Sequence, residues 1–355
     1  MGDGMEKEVL RRRIFMVIDI HDKEETTVNE WLQGWLDRKY ENVQASTHQN
    51  YTSLLRPVQQ LYVNVPLVEL STEELQTYID LLLEAGLYSA AWHVRDLLKA
   101  ALDDAVRMHK LCENPARKLM VPYKESQTIK ALTKDMQQLF LKSLENERTK
   151  NLFAFQLLTG LRPGEVCALQ WSDIDWDNKT VVIQRNVRRV KDEFNQSRLT
   201  LSPTKNGCNR ILLLSDTMLI LLRNQKLLQQ KEICDGGYQE TQFVFTTKNG
   251  TLLESTSLNR TLKKVQKKMS ERDLQKGGSG VIPAFTAHSL RHTFATRALE
   301  ANVPPKVLAY WLGHKTVRIT LDVYQHILPE FNQSSVEKMD EKMQQMCIDW
   351  IHTIK

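Results

Sequence analysis

The chain has 355 residues, 41% of them hydrophobic and 26% charged, which is more length than one typical domain needs and enough apolar side chain for two cores. Lys plus Arg number 48 against 43 Asp plus Glu, and the net charge of +5 permits a polyanionic partner without demanding one. Five scattered cysteines (Cys112, Cys167, Cys208, Cys234, Cys347) without a CxxC pair argue against a disulfide framework or a zinc site. No apolar run of membrane-spanning length or secretory h-region is present, so a cytoplasmic location without membrane is expected.

In chain order, residues 1–25 form an N-terminal extension with Arg11 to Arg13 and the apolar run Ile14 to Ile18. The spacing of Trp31, Leu32, Trp35 and Leu36 predicts a helix capped by Thr27 or Asn29. Further helices are predicted over Ser46 to Val63, Ser71 to Leu83 and Ser89 to Met108; Ser71-Thr72-Glu73-Glu74 reads as a capping-box start and Gly86 as a C-cap. Pro115 and Pro122 interrupt the pattern and close a helical domain, 26–118. A basic linker, 119–132, follows; with Lys118 and Lys124 it is a candidate strap across a polyanion, or else a solvated tether.

The second domain, 133–332, opens with a helix capped by Thr133 and an apolar helix from Asn151 to Thr159. After the turn Gly160-Leu161-Arg162-Pro163-Gly164-Glu165, a short apolar helix is expected from Val166 to Leu169. Thr180 to Gln184 and Arg210 to Leu214 read as a strand pair, with a hairpin turn signal at Asn206-Gly207 between them. A helix over Asp216 to Lys231, a short strand at Phe243 to Phe245 and a basic helix from Ser257 to Met269 come next. The basic helix would turn Arg260, Lys263 and Lys264 toward DNA or toward solvent. The tail, 333–355, holds a predicted helix from Val336 to Ile351. The fold class expected is mostly α with a small antiparallel β-sheet: a helical N-terminal domain and a mixed α+β catalytic domain.

The chemistry concentrates between His288 and Tyr324. His288 and Arg291 stand three residues apart on one helix, followed by Leu312-Gly313-His314 and the tyrosine. Arginine binds two phosphate oxygens at once and stays charged near neutral pH, so a site with Arg162 and Arg291 favours a phosphodiester. Tyrosine, with a free pKa of about 10, needs a base such as His288 to act as nucleophile at neutral pH. Lys205 on the hairpin could protonate the departing oxygen, with Lys191 as a nearby alternative, and His314 could donate a hydrogen bond to the phosphate. His292, beside Arg291, reads better as a packing residue. There is no phosphate-cradling glycine loop and no carboxylate cluster for a metal.

Arg162 in TGLRPGE, Lys205, His288-x-x-Arg291, Leu312-Gly313-His314 and Tyr324 together resemble the six-residue active site of the tyrosine recombinases, the family of phage and conjugative-transposon integrases. The N-terminal half resembles that family's core-binding domain, with Ser46-Thr47 before a helix with Tyr51 and Asn114-Pro115 before the linker. The resemblance implies site-specific DNA recombination through a 3′-phosphotyrosine intermediate on Tyr324, without metal, ATP or other cofactor, for integration or excision of a mobile element. It places Glu165 behind Arg162 or His288. As partners it implies double-stranded DNA at specific sites, a homo-tetramer on that DNA, a tail docked on the adjacent protomer, and room for a directionality factor or DNA-bending protein; in the cell it implies association with the bacterial nucleoid. A type IB topoisomerase and a catalytically silent DNA-binding protein of the same fold are the alternatives.

Overall fold

The computed structural model describes residues 26–122, 131–191, 196–204, 207 and 209–325, with the backbone alone for 191 and 322–325. Two compact units divide the chain, Met1–Ser126 and Gln127–Lys355.

In the first unit, α1 (Val28–Tyr40) starts at Thr27, whose hydroxyl accepts from Glu30 N while the Glu30 carboxylate accepts from Thr27 N; this decides between the two predicted caps. Trp31 and Trp35 are buried, and each indole N–H reaches α4 (Tyr88–Arg107), at Ala101 O (3.0 Å) and Asp104 Oδ2 (2.8 Å). The second helix, α2, spans Ala45–Leu61, and α3 spans Thr72–Glu84 behind the Ser71 and Glu74 capping box. Asn114 ties off the unit: its side chain accepts from Ala116 N and donates to Lys99 O and Asp103 Oδ1. Leu119 and Val121 are still buried in this core, so the first residues of the predicted linker belong to the helical unit. The apolar side chains of a sequence stretch that otherwise reads as tether are what hold it down. Lys124 lies outside the described residues, as do the N-terminal extension and the C-terminal tail.

The second unit opens with α5 (Lys134–Ser143), capped by the Thr133 hydroxyl, and α6 (Lys150–Thr159), buried on most sides. Leu132 is buried here and its N–H donates to Thr293 Oγ1. A short α7 (Pro163–Cys167) follows, with proline at its first position, where no helical N–H is needed. It begins three residues before the predicted apolar helix and ends sooner.

Strands β1 (Ile174–Asp175), β2 (Thr180–Ile183) and β5 (Arg210–Leu213) form an antiparallel sheet in the order β1-β2-β5, with Thr180 opposite Leu213 and Ile183 opposite Arg210. The predicted pairing of β2 with β5 is present, but the chain between them is not a simple loop. It makes a second two-stranded ribbon, β3 (Arg185–Lys191) against β4 (Ser197–Pro203), and Gly207, at φ +66°, lies in the turn from β4 to β5. Periodicity missed this ribbon because β4 is largely exposed and Val187 is the buried anchor of β3. Phe243 to Phe245 is not a strand: Phe243 makes one isolated bridge with Gln170, and Val244 and Phe245 are apolar because they fill the core. Helices α8 (Asp216–Cys234), α9 (Ser255–Gln275), α10 (Ala287–Glu300), α11 (Pro305–Leu312) and α12 (Arg318–Gln325) complete the unit, the predicted basic helix being longer at both ends. The architecture is mostly α with small antiparallel sheets, the fold class expected.

The close fit of α7 against β3 yields a stability prediction. A Cβ on Gly164 would lie 2.0 Å from Asn186 Oδ1 and 3.0 Å from Val187 O. Gly164→Ala is therefore expected to destabilise the protein by about 1 to 3 kcal/mol, the usual cost of forcing atoms into a filled space. Unfolding in denaturant measures it, and an unchanged midpoint would contradict this packing.

Candidate active site

Arg162 stands at the entry to α7 with extended backbone. Glu165, one turn on and 2% exposed, accepts from Arg162 N (3.0 Å) through Oε2 and from Arg162 Nη1 (2.9 Å) through Oε1. One carboxylate thus caps the helix and fixes the side chain of the residue before it. The other Nη of Arg162 donates to Gly313 O (2.9 Å). Arg291, 4% exposed on α10, donates to Gly160 O (2.9 Å) and to Leu312 O (2.6 Å).

A third arginine completes the arrangement. Arg210, the first residue of β5 and 4% exposed, donates from Nε to Trp311 O (2.8 Å), and from Nη1 and Nη2 to the two oxygens of Glu165 (3.2 and 2.7 Å). Residue type and motif spacing do not single it out. The signal was there: a strand alternates faces, Leu212 is buried, and Arg210 must face the same way.

The end of α11 explains why the guanidinium groups converge. A helix leaves its last carbonyls without intrahelical donors. Gly313, at φ +63°, lets the chain reverse so that Gly313 N donates to Tyr310 O and His314 N to Ala309 O, both 3.0 Å. The next carbonyls, of Trp311, Leu312 and Gly313, are taken by Arg210, Arg291 and Arg162 in that order. The negative end of the helix dipole favours the three cations. A Cβ on Gly313 would lie 2.9 Å from Arg210 Nη1, so glycine is needed both for the left-handed backbone and for the close approach.

His314 leaves this turn half-buried, with Nδ1 2.8 Å from Thr320 Oγ1. Burial, then the charges of Arg291, Arg162, His292 and Arg210, pull its pKa down to about 4. At neutral pH the ring is uncharged, and if Nδ1 accepts from Thr320, Nε2 carries the hydrogen. Burial likewise lowers Arg291, to about 9, helped by Arg162 and Arg210 and opposed by Glu165. Burial pushes Glu165 up, but the hydrogen bond and charge of Arg210, and those of Arg162, outweigh it and hold the carboxyl below its usual range. Three guanidinium groups and one carboxylate leave a positive excess that an anion would relieve.

A folded pKa near 4 against about 6.5 for a free histidine means that the unfolded chain binds more protons between those values. Stability contributed by neutral His314 is present above about pH 6.5 and is lost as pH falls through this window. His314→Gln is expected to show a smaller drop in melting temperature between pH 7 and pH 5 than the parent; equal drops would rule out this burial.

His288 is exposed on the first turn of α10, its ring edge-to-face with His292 at 5.0 Å between centroids. His292 is half-buried, and burial and then Arg291 lower its pKa. Helix α12, which carries Tyr324 in its last turn, packs on α10 and α11; the side chain of Tyr324 lies outside the described residues. Lys205 also lies outside them. Arg260, Lys263 and Lys264 are exposed on α9, and Lys118 is exposed in the first unit.

The sequence profile of the phage integrase family matches residues 125–330, more than half of the chain. The chain belongs to that family. This tyrosine recombinase is 27% identical over 285 residues to a XerC-like tyrosine recombinase of Caldanaerobacter subterraneus, covering 76% of the chain and 70% of the relative. It is 25% identical to the integrase of Staphylococcus phage L54a over 90% of each protein. Its fold matches the Tn1549 transposon integrase in complex with transposon right end DNA, with TM-score 0.73 and 21% identity, covering 88% of this chain and 99% of that one. No helix among the described residues is long and apolar enough to cross a membrane.

Proposed function

We propose that this recombinase cuts and rejoins duplex DNA at a specific site through a covalent link to Tyr324, in the service of a mobile element. The observation that carries the reading is the convergence of Arg162 and Arg291, held by adjacent carbonyls at the end of α11, close in sequence to His314, while the helix that bears Tyr324 packs on α10 and α11. Such a pair stabilises the added negative charge of a five-coordinate phosphorus. The transposon and phage integrases to which the chain is similar support the mobile-element role.

The Tyr324 oxygen attacks the scissile phosphorus as its phenolic proton passes to His288. The bond from phosphorus to the 5′ oxygen breaks, and that oxygen takes a proton from Lys205 and leaves as a 5′-hydroxyl. The product is a 3′-phosphotyrosine, and attack by a 5′-hydroxyl of a partner strand reverses the step. Because one phosphate ester replaces another, the cycle needs no ATP, and the arginines supply the charge that a metal would otherwise provide. Exchange between two duplexes breaks four strands, and with one nucleophile per chain this calls for four copies on paired sites. Lys118, Lys124, Arg260, Lys263 and Lys264 are assigned to the DNA backbone, with a salt dependence that follows from phosphate neutralisation.

Incubation with nicked DNA from the ends and flanks of the encoding element tests the reading. A covalent adduct at one sequence, recovered and sequenced, is expected. Relaxation of any supercoiled plasmid without site preference would point instead to a topoisomerase, and salt-sensitive binding without an adduct to a silent DNA-binding protein.

A further inference from the structure

Arg210 has no place in the six-residue set, is 4% exposed and yet spends three N–H groups inside the site. A buried guanidinium is costly to desolvate, and apolar side chains often serve packing better. The reason for a cation here is electrostatic. Glu165 is buried beside Arg162 and is needed to fix it, but a carboxylate in contact with a phosphate-binding arginine also cancels its charge. Alone with Arg162, Glu165 would turn a phosphate clamp into a closed ion pair.

Both oxygens of Glu165 are shared: Oε1 receives Arg162 Nη1 and Arg210 Nη1, and Oε2 receives Arg162 N and Arg210 Nη2. We propose that Arg210 is a positioning residue that neutralises Glu165, so that Arg162 is oriented by the carboxylate without losing the positive charge it offers to the scissile phosphate. Its Nε bond to Trp311 O holds it there and leaves the next two carbonyls to Arg291 and Arg162. The inference rests on the reading of Arg162 and Arg291 as the phosphate clamp.

The test compares two substrates with the full chain. One is the duplex recovered by trapping; the other carries a methylphosphonate at the scissile position, with one charged oxygen replaced by methyl. Arg210→Met is expected to slow strand cleavage at saturating DNA by roughly tenfold or more, on the scale that misplaced groups cost, with half-saturating DNA little changed. On the neutral substrate the deficit should shrink severalfold, because less positive charge is needed. The double variant Arg210→Met with Glu165→Gln, which removes both charges and leaves Arg162 uncancelled, should cleave the normal duplex faster than Arg210→Met alone. If the single variant does not fold, the double variant, with no unpaired buried carboxylate, is expected to fold and to show the smaller deficit against the parent. An Arg210→Met deficit equal on both substrates, or a double variant no faster than the single or, where the single does not fold, tenfold or more below the parent, would overturn the proposal. Arg162→Met separates the two readings: if it is not restored on methylphosphonate, the clamp itself is wrong; if it is restored and Arg210→Met is not, only the role of Arg210 fails.

Discussion

Tyr324→Phe is expected to abolish covalent capture of DNA, by more than about three orders of magnitude as losses of a nucleophile do, while duplex binding persists. Only one hydroxyl is removed, and α12 keeps the same aromatic ring at its last turn. In the proposed mechanism binding rests on dispersed cations and on the arginine clamp, none of which this change touches. Gel-shift and adduct assays on the same preparation separate the two effects. An adduct that forms at the parental rate in the variant would place the nucleophile elsewhere.

The second large effect is expected at Arg291. Arg291→Met removes a cation that the proposed mechanism assigns to the phosphate, and by analogy with the loss of one transition-state donor cleavage should fall by about 10² to 10³. It also leaves the carbonyls of Gly160 and Leu312 without their donors in a buried place, so stability should drop by about 1 to 3 kcal/mol. Arg291→Lys keeps a charge but has one nitrogen for two carbonyls on different elements, and is expected to recover little of either loss. Arg162 is more exposed, and Arg162→Met leaves Glu165 paired with Arg210, so the catalytic loss should come with a smaller change in unfolding midpoint. Cleavage assays beside denaturant unfolding of the three variants check the pattern; equal stability losses at Arg162 and Arg291 would contradict the anchoring described above.

Much of the fold was legible because local rules and packing agree in it. Ser71 and Thr133 announce their helices by capping, and the Trp31, Trp35 stripe reads directly as the buried face of α1. The ribbon of β3 and β4 was not legible, since β4 is largely exposed and Val187 is the one fully buried side chain described in β3. Phe243 to Phe245 misled for the opposite reason: a short apolar run is the same for a strand and for a core-filling loop. In the site, Arg162, His288, Arg291 and His314 stood out by spacing and residue type, and the structure assembles Arg162, Arg291 and His314 around one helix end. What spacing could not reveal is that the end of α11 gathers the arginines, because three carbonyls meet partners from α7, β5 and α10 only after folding. Arg210 stayed hidden for that reason, as one charged residue opening an apolar strand.

The most direct test of the account is the chemical identity of the protein–DNA link. After cleavage of a trapping substrate, nuclease and protease digestion followed by mass spectrometry should yield a peptide spanning Tyr324 that carries a nucleotide through its 3′-phosphate, with a free 5′-hydroxyl on the released strand. A link through another residue, or a 5′-phosphate joined to protein, would contradict it.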